Sequence, residues 1–158
     1  MRAICLGGGP AGLYFAISLK LRQPDAQVTV LERNKPDDTF GWGVVLSDET
    51  LDNLEQNDPI SAAEIRSHFA YWDDIALHHK GQVITSSGHG FCGIGRKKLL
   101  LILQDRARAL GVDLQFETDV KAASDYMADY DLVVACDGLN SKTRLEFQDT
   151  FKPDIDVR

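Results

Sequence analysis

The first segment whose residue types and spacing indicate ligand binding is the glycine-rich stretch from position 7 to position 12, which follows the pattern G-x-G-x-x-G. Gly7 allows a tight turn after a short apolar run, Gly9 leaves the backbone bare, and Gly12 permits close packing of a following helix. Pro10 and Ala11 lie where that helix begins, and proline is favoured at the first helical position. Free N–H groups and the helix dipole attract phosphates at such a terminus. The pattern therefore predicts a diphosphate-binding turn.

Glu32 lies 20 residues after Gly12 and ends the next apolar run, Val28 to Leu31. Together with the first run, Arg2 to Leu6, and the intervening helix, these segments predict one right-handed βαβ unit. A carboxylate at this place accepts hydrogen bonds from the ribose of an adenine dinucleotide that carries no 2′-phosphate. The turn and the carboxylate do not separate FAD from NAD. A plain glycine turn beside an exposed glutamate is the alternative.

A second cluster follows the apolar run Asp131 to Cys136. It consists of Asp137, Gly138, Ser141 and Arg144 at the spacing D-G-x-x-S-x-x-R. From the residues alone, this is either a ligand-binding turn or an Asp-Gly turn whose serine caps a helix. The spacing resembles a fingerprint of the class A flavoprotein monooxygenases, the p-hydroxybenzoate hydroxylase-like family. In that family the segment lies near the flavin pyrophosphate and is implicated in both FAD and NAD(P)H binding.

Other segments extend this resemblance over nearly the whole chain. Arg96 precedes a leucine-striped helix predicted from Lys97 to Leu110, and the family places an arginine there that reaches FAD. The stretch from Pro36 to Val45 contains Gly43, and in such enzymes this loop passes close to the flavin. The similarity is greatest to the branch acting on salicylyl-CoA and 2-aminobenzoyl-CoA, and the violacein-pathway tryptophan hydroxylase is similar. The candidate cofactor-binding residues are Gly7, Gly9, Pro10, Ala11, Gly12, Glu32, Arg33, Gly43, Arg96, Asp137, Gly138, Ser141 and Arg144.

The resemblance implies that residues 1–158 form the amino-terminal FAD-binding domain of a longer enzyme. The family's later Gly-Asp motif and its substrate-covering sheet domain do not occur in this sequence, so we expect the fragment alone to lack turnover. In the intact enzyme NADH or NADPH reduces FAD, which then reacts with O2 to give a C4a-hydroperoxyflavin. That species hydroxylates an aromatic substrate, either free or as a CoA thioester. None of these residues is assigned as a catalytic acid or base.

Composition limits the remaining function classes. The net charge of −7 argues against nucleic acid and against an anionic membrane surface as partners. No apolar run reaches the roughly 18 residues of a membrane span. Cys5, Cys92 and Cys136 lack metal-site spacing, so we expect no metal and reduced thiols in the cytoplasm. The sequence does not indicate an oligomeric state.

The whole pattern predicts a mixed α/β fold, a Rossmann-like FAD-binding domain with a mostly parallel central sheet of the glutathione-reductase type, incomplete at its end. The further elements expected are a helix from Ser47 to Asn57, a helix from Asp58 to about Tyr71, and a hairpin of Ile75–His79 and Gln82–Thr85. Two other functions remain open at this stage. They are an NAD-dependent dehydrogenase and a dinucleotide-binding domain without catalytic activity.

Overall fold

The computed structural model of the chain describes residues 1–39, 41–154 and 156. Phe40, which belongs to the family-like stretch at 36–45, lies outside the described residues, as do Ile155, Val157 and Arg158. The chain divides into two compact units, the first formed by Met1–Asp38 and Leu103–Arg158 and the second by Thr39–Ile102. Each unit is described by itself.

The described chain alternates short strands with helices. In order, the elements are β1 (Arg2–Leu6), α1 (Pro10–Arg22), β2 (Gln27–Leu31), β3 (Gly43–Leu46), α2 (Asp48–Asn57), α3 (Pro59–Ser67), β4 (Ala70–Trp72), β5 (Ile75–His79), β6 (Gln82–Ser86), β7 (Phe91–Gly95), α4 (Arg96–Ala109), β8 (Asp113–Gln115), a 3-10 helix (Ser124–Tyr126), β9 (Leu132–Ala135), α5 (Lys142–Glu146) and α6 (Gln148–Phe151).

The first unit is built on a four-stranded sheet in the order β8-β2-β1-β9, with every neighbouring pair parallel. The central strand, β1, is buried from Ala3 to Leu6. Helix α1 lies against β1 and β2 and buries Leu13, Ala16 and Ile17, which recur at the spacing of one helix face. The predicted βαβ unit and the parallel sheet are therefore confirmed.

The junction between β1 and α1 has no room for side chains at two of its glycines. A Cβ added at Gly12 would lie 2.0 Å from the carbonyl oxygen of Gly7. A Cβ added at Gly7 would lie 2.3 Å from the carbonyl oxygen of Cys136, which follows β9. Gly7 also has a φ of +118°, which side-chain-bearing residues rarely adopt. Glycine at these two positions is thus required by the fold itself.

The second unit contains a three-stranded antiparallel sheet in the order β3-β7-β4 and a separate hairpin of β5 and β6. The hairpin turns at Lys80 and Gly81, both with positive φ, as a two-residue type I′ turn requires. Ser47 caps α2 by accepting a hydrogen bond from the amide of Thr50. The predicted hairpin and the cap are confirmed, with β6 one residue longer than expected.

Two expectations for the second unit were wrong in detail. The helix expected from Asp58 to about Tyr71 ends at Ser67, because the aromatic-rich segment Ala70–Trp72 forms β4 and pairs with β7. Strands β3 and β7 were not expected, since their glycines suggested loops. Gly93 is tolerated because the ring of Trp72 fills the space of its missing side chain, 3.1 Å from an added Cβ.

We predict that Gly12→Ala lowers the free energy of unfolding by about 2 kcal/mol or more, because the added methyl group forces backbone atoms of β1 and α1 apart. Gly95→Ala is the matched control. Nothing lies within 4 Å of a Cβ at Gly95, so its change should stay below about 1 kcal/mol. Urea unfolding of both variants measures the difference, and equal stabilities would contradict the steric argument.

Candidate cofactor site

The turn at residues 7 to 12 presents bare backbone at the start of α1. Gly9 is the N-cap residue, with φ −72° and ψ 179°, and no side chain caps the helix there. Pro10 is the first helical residue, Ala11 is exposed, and a Cβ at Gly9 would meet nothing within 4 Å. The first N–H groups of a helix have no partner within it. The amino-terminal end of α1 can therefore bind an anion through the Gly9 backbone and the amides that follow.

Glu32 is tied to this turn by hydrogen bonds. Its Oε2 accepts from the amide of Gly8 at 2.8 Å, and its Oε1 accepts from the amide and the side-chain nitrogen of Asn34 at 2.9 and 2.7 Å. The Glu32 side chain is half-buried, whereas the neighbouring Arg33 is exposed. The structure thus brings the predicted carboxylate to the glycine turn, on the side of β2.

Asp137 organises the loop after β9. One carboxylate oxygen accepts the hydroxyl of Ser141 at 2.7 Å, and the other accepts the amide and hydroxyl of Thr143 at 3.0 and 3.1 Å. Burial acts to raise the pKa of Asp137, but these hydrogen bonds outweigh it and hold the pKa below its usual range. The carboxylate is therefore a structural acceptor that closes the loop around Gly138, which has a φ of +76°.

Ser141 and Arg144 complete the same loop. The Ser141 hydroxyl accepts the amide of Arg144 at 2.9 Å and so caps α5, as the purely structural interpretation of this motif expects. The Arg144 guanidinium donates to the carbonyl of Leu139, whose side chain is 86% exposed. An open pocket of about 340 Å³ lies here, lined by Ala135, Asp137, Gly138, Ser141, Thr143, Arg144 and Phe151.

Charged side chains fasten α5 to the segment before β9. Lys142 contacts Asp119 at 2.8 Å, and Glu146 accepts the amides of Ala123 and Ser124 at 2.7 and 3.2 Å. The hydrogen bond from Lys142 lowers the pKa of Asp119, and the hydrogen bond from Ser124 lowers the pKa of Glu146. The orientation of the Asp137 loop is thereby fixed from both ends of α5.

Two predicted site residues belong to the second unit. Arg96 begins α4, and its amide donates to the carbonyl of Trp42 at 3.2 Å. Its Nε is buried and has no hydrogen-bond partner among the described residues, which is costly unless a ligand or water satisfies it. Gly43 pairs with Gly95, and a Cβ there would lie 3.1 Å from the carbonyl oxygen of Ile94. This close strand packing is one structural reason for glycine at position 43.

Sequence reasoning missed three residues that donate hydrogen bonds to Glu32 or Asp137. Gly8 occupies a variable position of the glycine pattern, yet its amide binds Glu32. Asn34 and Thr143 also supply donors to the two carboxylates. Short polar residues that follow a strand or open a helix commonly bond to nearby groups, which was the available signal. Among the described residues, no group of three or more His, Cys, Asp or Glu side chains forms a metal site.

The profile of the FAD binding domain family matches residues 1–154. The chain belongs to this family. This match identifies FAD as the cofactor of the domain. The open space at Gly9 is consistent with such a ligand.

Several relatives of this FAD binding domain are monooxygenases or oxygenases by name. The chain is 46% identical to salicyloyl-CoA 5-hydroxylase of a Streptomyces species over 99% of its own length and 30% of that protein. It is 33% identical to protodeoxyviolaceinate monooxygenase of Chromobacterium violaceum over 99% of its length and 42% of that protein. A structure of 2-methyl-3-hydroxypyridine-5-carboxylic acid oxygenase matches with TM-score 0.78 and 27% identity, over 92% of this chain and 42% of that one. The chain thus spans less than half of each relative.

We predict that Gly9→Val abolishes measurable FAD binding while changing the free energy of unfolding by about 1 kcal/mol or less. The valine side chain fills the space above the turn, but it meets no protein atom at its Cβ, and the Gly9 backbone is extended. Calorimetric titration with FAD and urea unfolding test the two parts separately. Wild-type affinity in this variant would show that the diphosphate binds elsewhere.

We predict that Asp137→Asn is less stable than the wild type by about 1 kcal/mol at pH 7, since an amide replaces one acceptor oxygen of a solvent-screened carboxylate. Because its pKa is lowered in the folded state, Asp137 stabilises the fold at pH values above its unfolded-state pKa. This stabilisation is lost as the pH falls through the folded-state pKa. The stability gap should therefore close below about pH 4. Urea unfolding across pH measures it, with the exposed Asp129→Asn as control. A gap independent of pH would contradict this assignment.

Proposed function

We propose that this chain is the FAD-binding part of an NAD(P)H-dependent monooxygenase that hydroxylates an aromatic substrate. The observation that carries the proposal is the bare turn at Gly7, Gly9 and Gly12, with Glu32 beside it in a member of the FAD binding domain family. In this proposal the α1 terminus binds the diphosphate, and Glu32 contacts the adenosine ribose. When bound and reduced, FAD supplies the chemistry that activates O2.

The remaining candidate residues take supporting roles in this proposal. Arg33 lies next to the ribose-binding carboxylate, and the orphaned Nε of Arg96 gains a cofactor oxygen as its partner. The loop from Asp137 to Arg144 borders the cofactor through its backbone, because the Asp137 carboxylate is already occupied by Ser141 and Thr143. Gly138 and Arg144 then face the reductant, NADH or NADPH, at the pocket beside the loop.

An aromatic acyl-CoA thioester is the substrate class that we propose. The support is the 46% identity to a protein named salicyloyl-CoA 5-hydroxylase. The relative from Chromobacterium violaceum is named for protodeoxyviolaceinate rather than for tryptophan. That similarity therefore favours an aromatic substrate without favouring tryptophan. We further propose that residues 1–158 act as the amino-terminal domain of a larger enzyme and that the substrate domain is formed by additional sequence.

We also propose a cytoplasmic location for this enzyme. Cys5, Cys92 and Cys136 are free thiols, and burial, with a contribution from Cys136, raises the pKa of Cys5 to about 12. In the part of the chain that the structure describes, no helix has the length and apolar character needed to cross a bilayer.

We predict that the protein, purified or reconstituted, carries FAD that heat or acid releases with a characteristic flavin spectrum. FAD titration should saturate the site, and NADH should not displace the flavin, because in this proposal the reductant binds at the pocket beside the Asp137 loop and not at the glycine turn. An NAD-dependent dehydrogenase would instead bind NADH tightly without competition from FAD. A colourless protein that FAD fails to reconstitute would refute the proposal.

A further inference from the structure

The carboxylate of Glu32 accepts three hydrogen bonds from the protein itself. Three N–H groups point at it, one from Gly8 to Oε2 and two from Asn34 to Oε1. An ionised carboxylate offers about four acceptor positions. One position therefore remains, on Oε2, and it accepts one ribose hydroxyl rather than two.

Steric contact ties Glu32 to the turn as closely as hydrogen bonding does. Gly8 is buried, and a Cβ added there would lie 2.7 Å from the Cβ of Glu32 and 3.2 Å from its Cγ. The general glycine pattern places no restriction on this position. Here the side chain of Glu32 occupies the space that a side chain at position 8 would need. Glycine at position 8 and glutamate at position 32 are therefore sterically complementary.

The hydrogen bond also determines which amides face the ligand. Gly8 lies between Gly7, whose backbone touches the Cys136 carbonyl, and Gly9, the N-cap of α1. Because the Gly8 N–H is directed at Glu32, it is not a phosphate donor. Its direction fixes the peptide plane between Gly7 and Gly8, which lies one residue before Gly9, the N-cap of α1.

Resting on the proposed FAD function, we propose that Glu32 is a positioning residue for the diphosphate-binding turn, in addition to contacting the ribose. Its carboxylate holds the Gly8 amide and so shapes the turn without any ligand contact. The charge-assisted bond is of the strong kind, because an ionised acceptor meets a backbone donor at 2.8 Å. Removal of the carboxylate should then weaken binding even of a ligand that has no adenosine ribose.

The test compares two ligands, FAD and riboflavin 5′-diphosphate, which keeps the flavin and diphosphate but lacks adenosine. For Glu32→Ala we expect the affinity for both ligands to fall, that for riboflavin 5′-diphosphate by about tenfold. Asn34→Ala is the matched control, because it removes a donor to Oε1 and keeps the Gly8 bond. Its affinity for riboflavin 5′-diphosphate should stay within about twofold of wild type. An unchanged affinity in Glu32→Ala, or an equal loss in Asn34→Ala, would overturn the proposal.

Hydrogen exchange of the Gly8 amide, measured by NMR without ligand, separates this proposal from the proposed function. We expect the amide to be protected in the wild type and in Asn34→Ala, and to exchange at least about tenfold faster in Glu32→Ala. If the wild type binds neither ligand, the FAD function fails while the exchange data still decide the role of Glu32. If Glu32→Ala does not fold, the exchange rate of the Gly8 amide in the wild type is the deciding measurement. An unprotected Gly8 amide would then overturn the proposal.

Discussion

The direct contact of backbone with backbone where β1, α1 and β9 meet is the constraint on which this site depends. Gly12 lies against the carbonyl of Gly7, and Gly7 lies against the carbonyl of Cys136, with no space for a side chain at either glycine. This contact brings the start of α1 close to the end of β1, where we propose that a diphosphate binds. It also places Asp137, the residue after Cys136, beside the turn. The two motifs, far apart in sequence, therefore adjoin through peptide groups alone.

Glu32 and Asp137, the two acidic residues of the site, both accept hydrogen bonds from other groups of the protein. Glu32 follows β2 and Asp137 follows β9, the two strands that flank β1. Glu32 accepts hydrogen bonds from the glycine turn and from the loop that follows β2. Asp137 accepts them from the loop that follows β9. A site whose loops are already ordered loses less conformational freedom when a ligand binds. Under the proposed function, Glu32 and Asp137 thus contribute to FAD binding partly by fixing backbone groups in place.

Much of the first unit was predictable because local signals agree with tertiary packing there. Short apolar runs indicated β1, which is followed by glycines, and β2, which is followed by Glu32, and Pro10 marked the start of α1. The second unit was less predictable, since Gly93 and Gly95 resemble loop residues until Trp72 and Val44 are known to pack and pair beside them. For the site, spacing drew attention to Glu32, which the structure places beside the glycine turn, and to Asp137, which it places in the loop after β9. Spacing alone gave no sign that Gly8, Asn34 and Thr143 supply their donors, since those contacts depend on how the loops close.

The position of β1 in the middle of the sheet has a consequence for synthesis of the chain. One side of β1 pairs with β2 soon after translation, but the Arg2 amide bonds to Asp131, 129 residues later. At about 5–20 residues per second, that partner emerges roughly 6–26 s afterwards. For this interval an apolar strand edge remains open on the ribosome, where unpaired edges invite aggregation. The central place of β1 in the sheet thus gives association through its second edge more time to occur than association through its first.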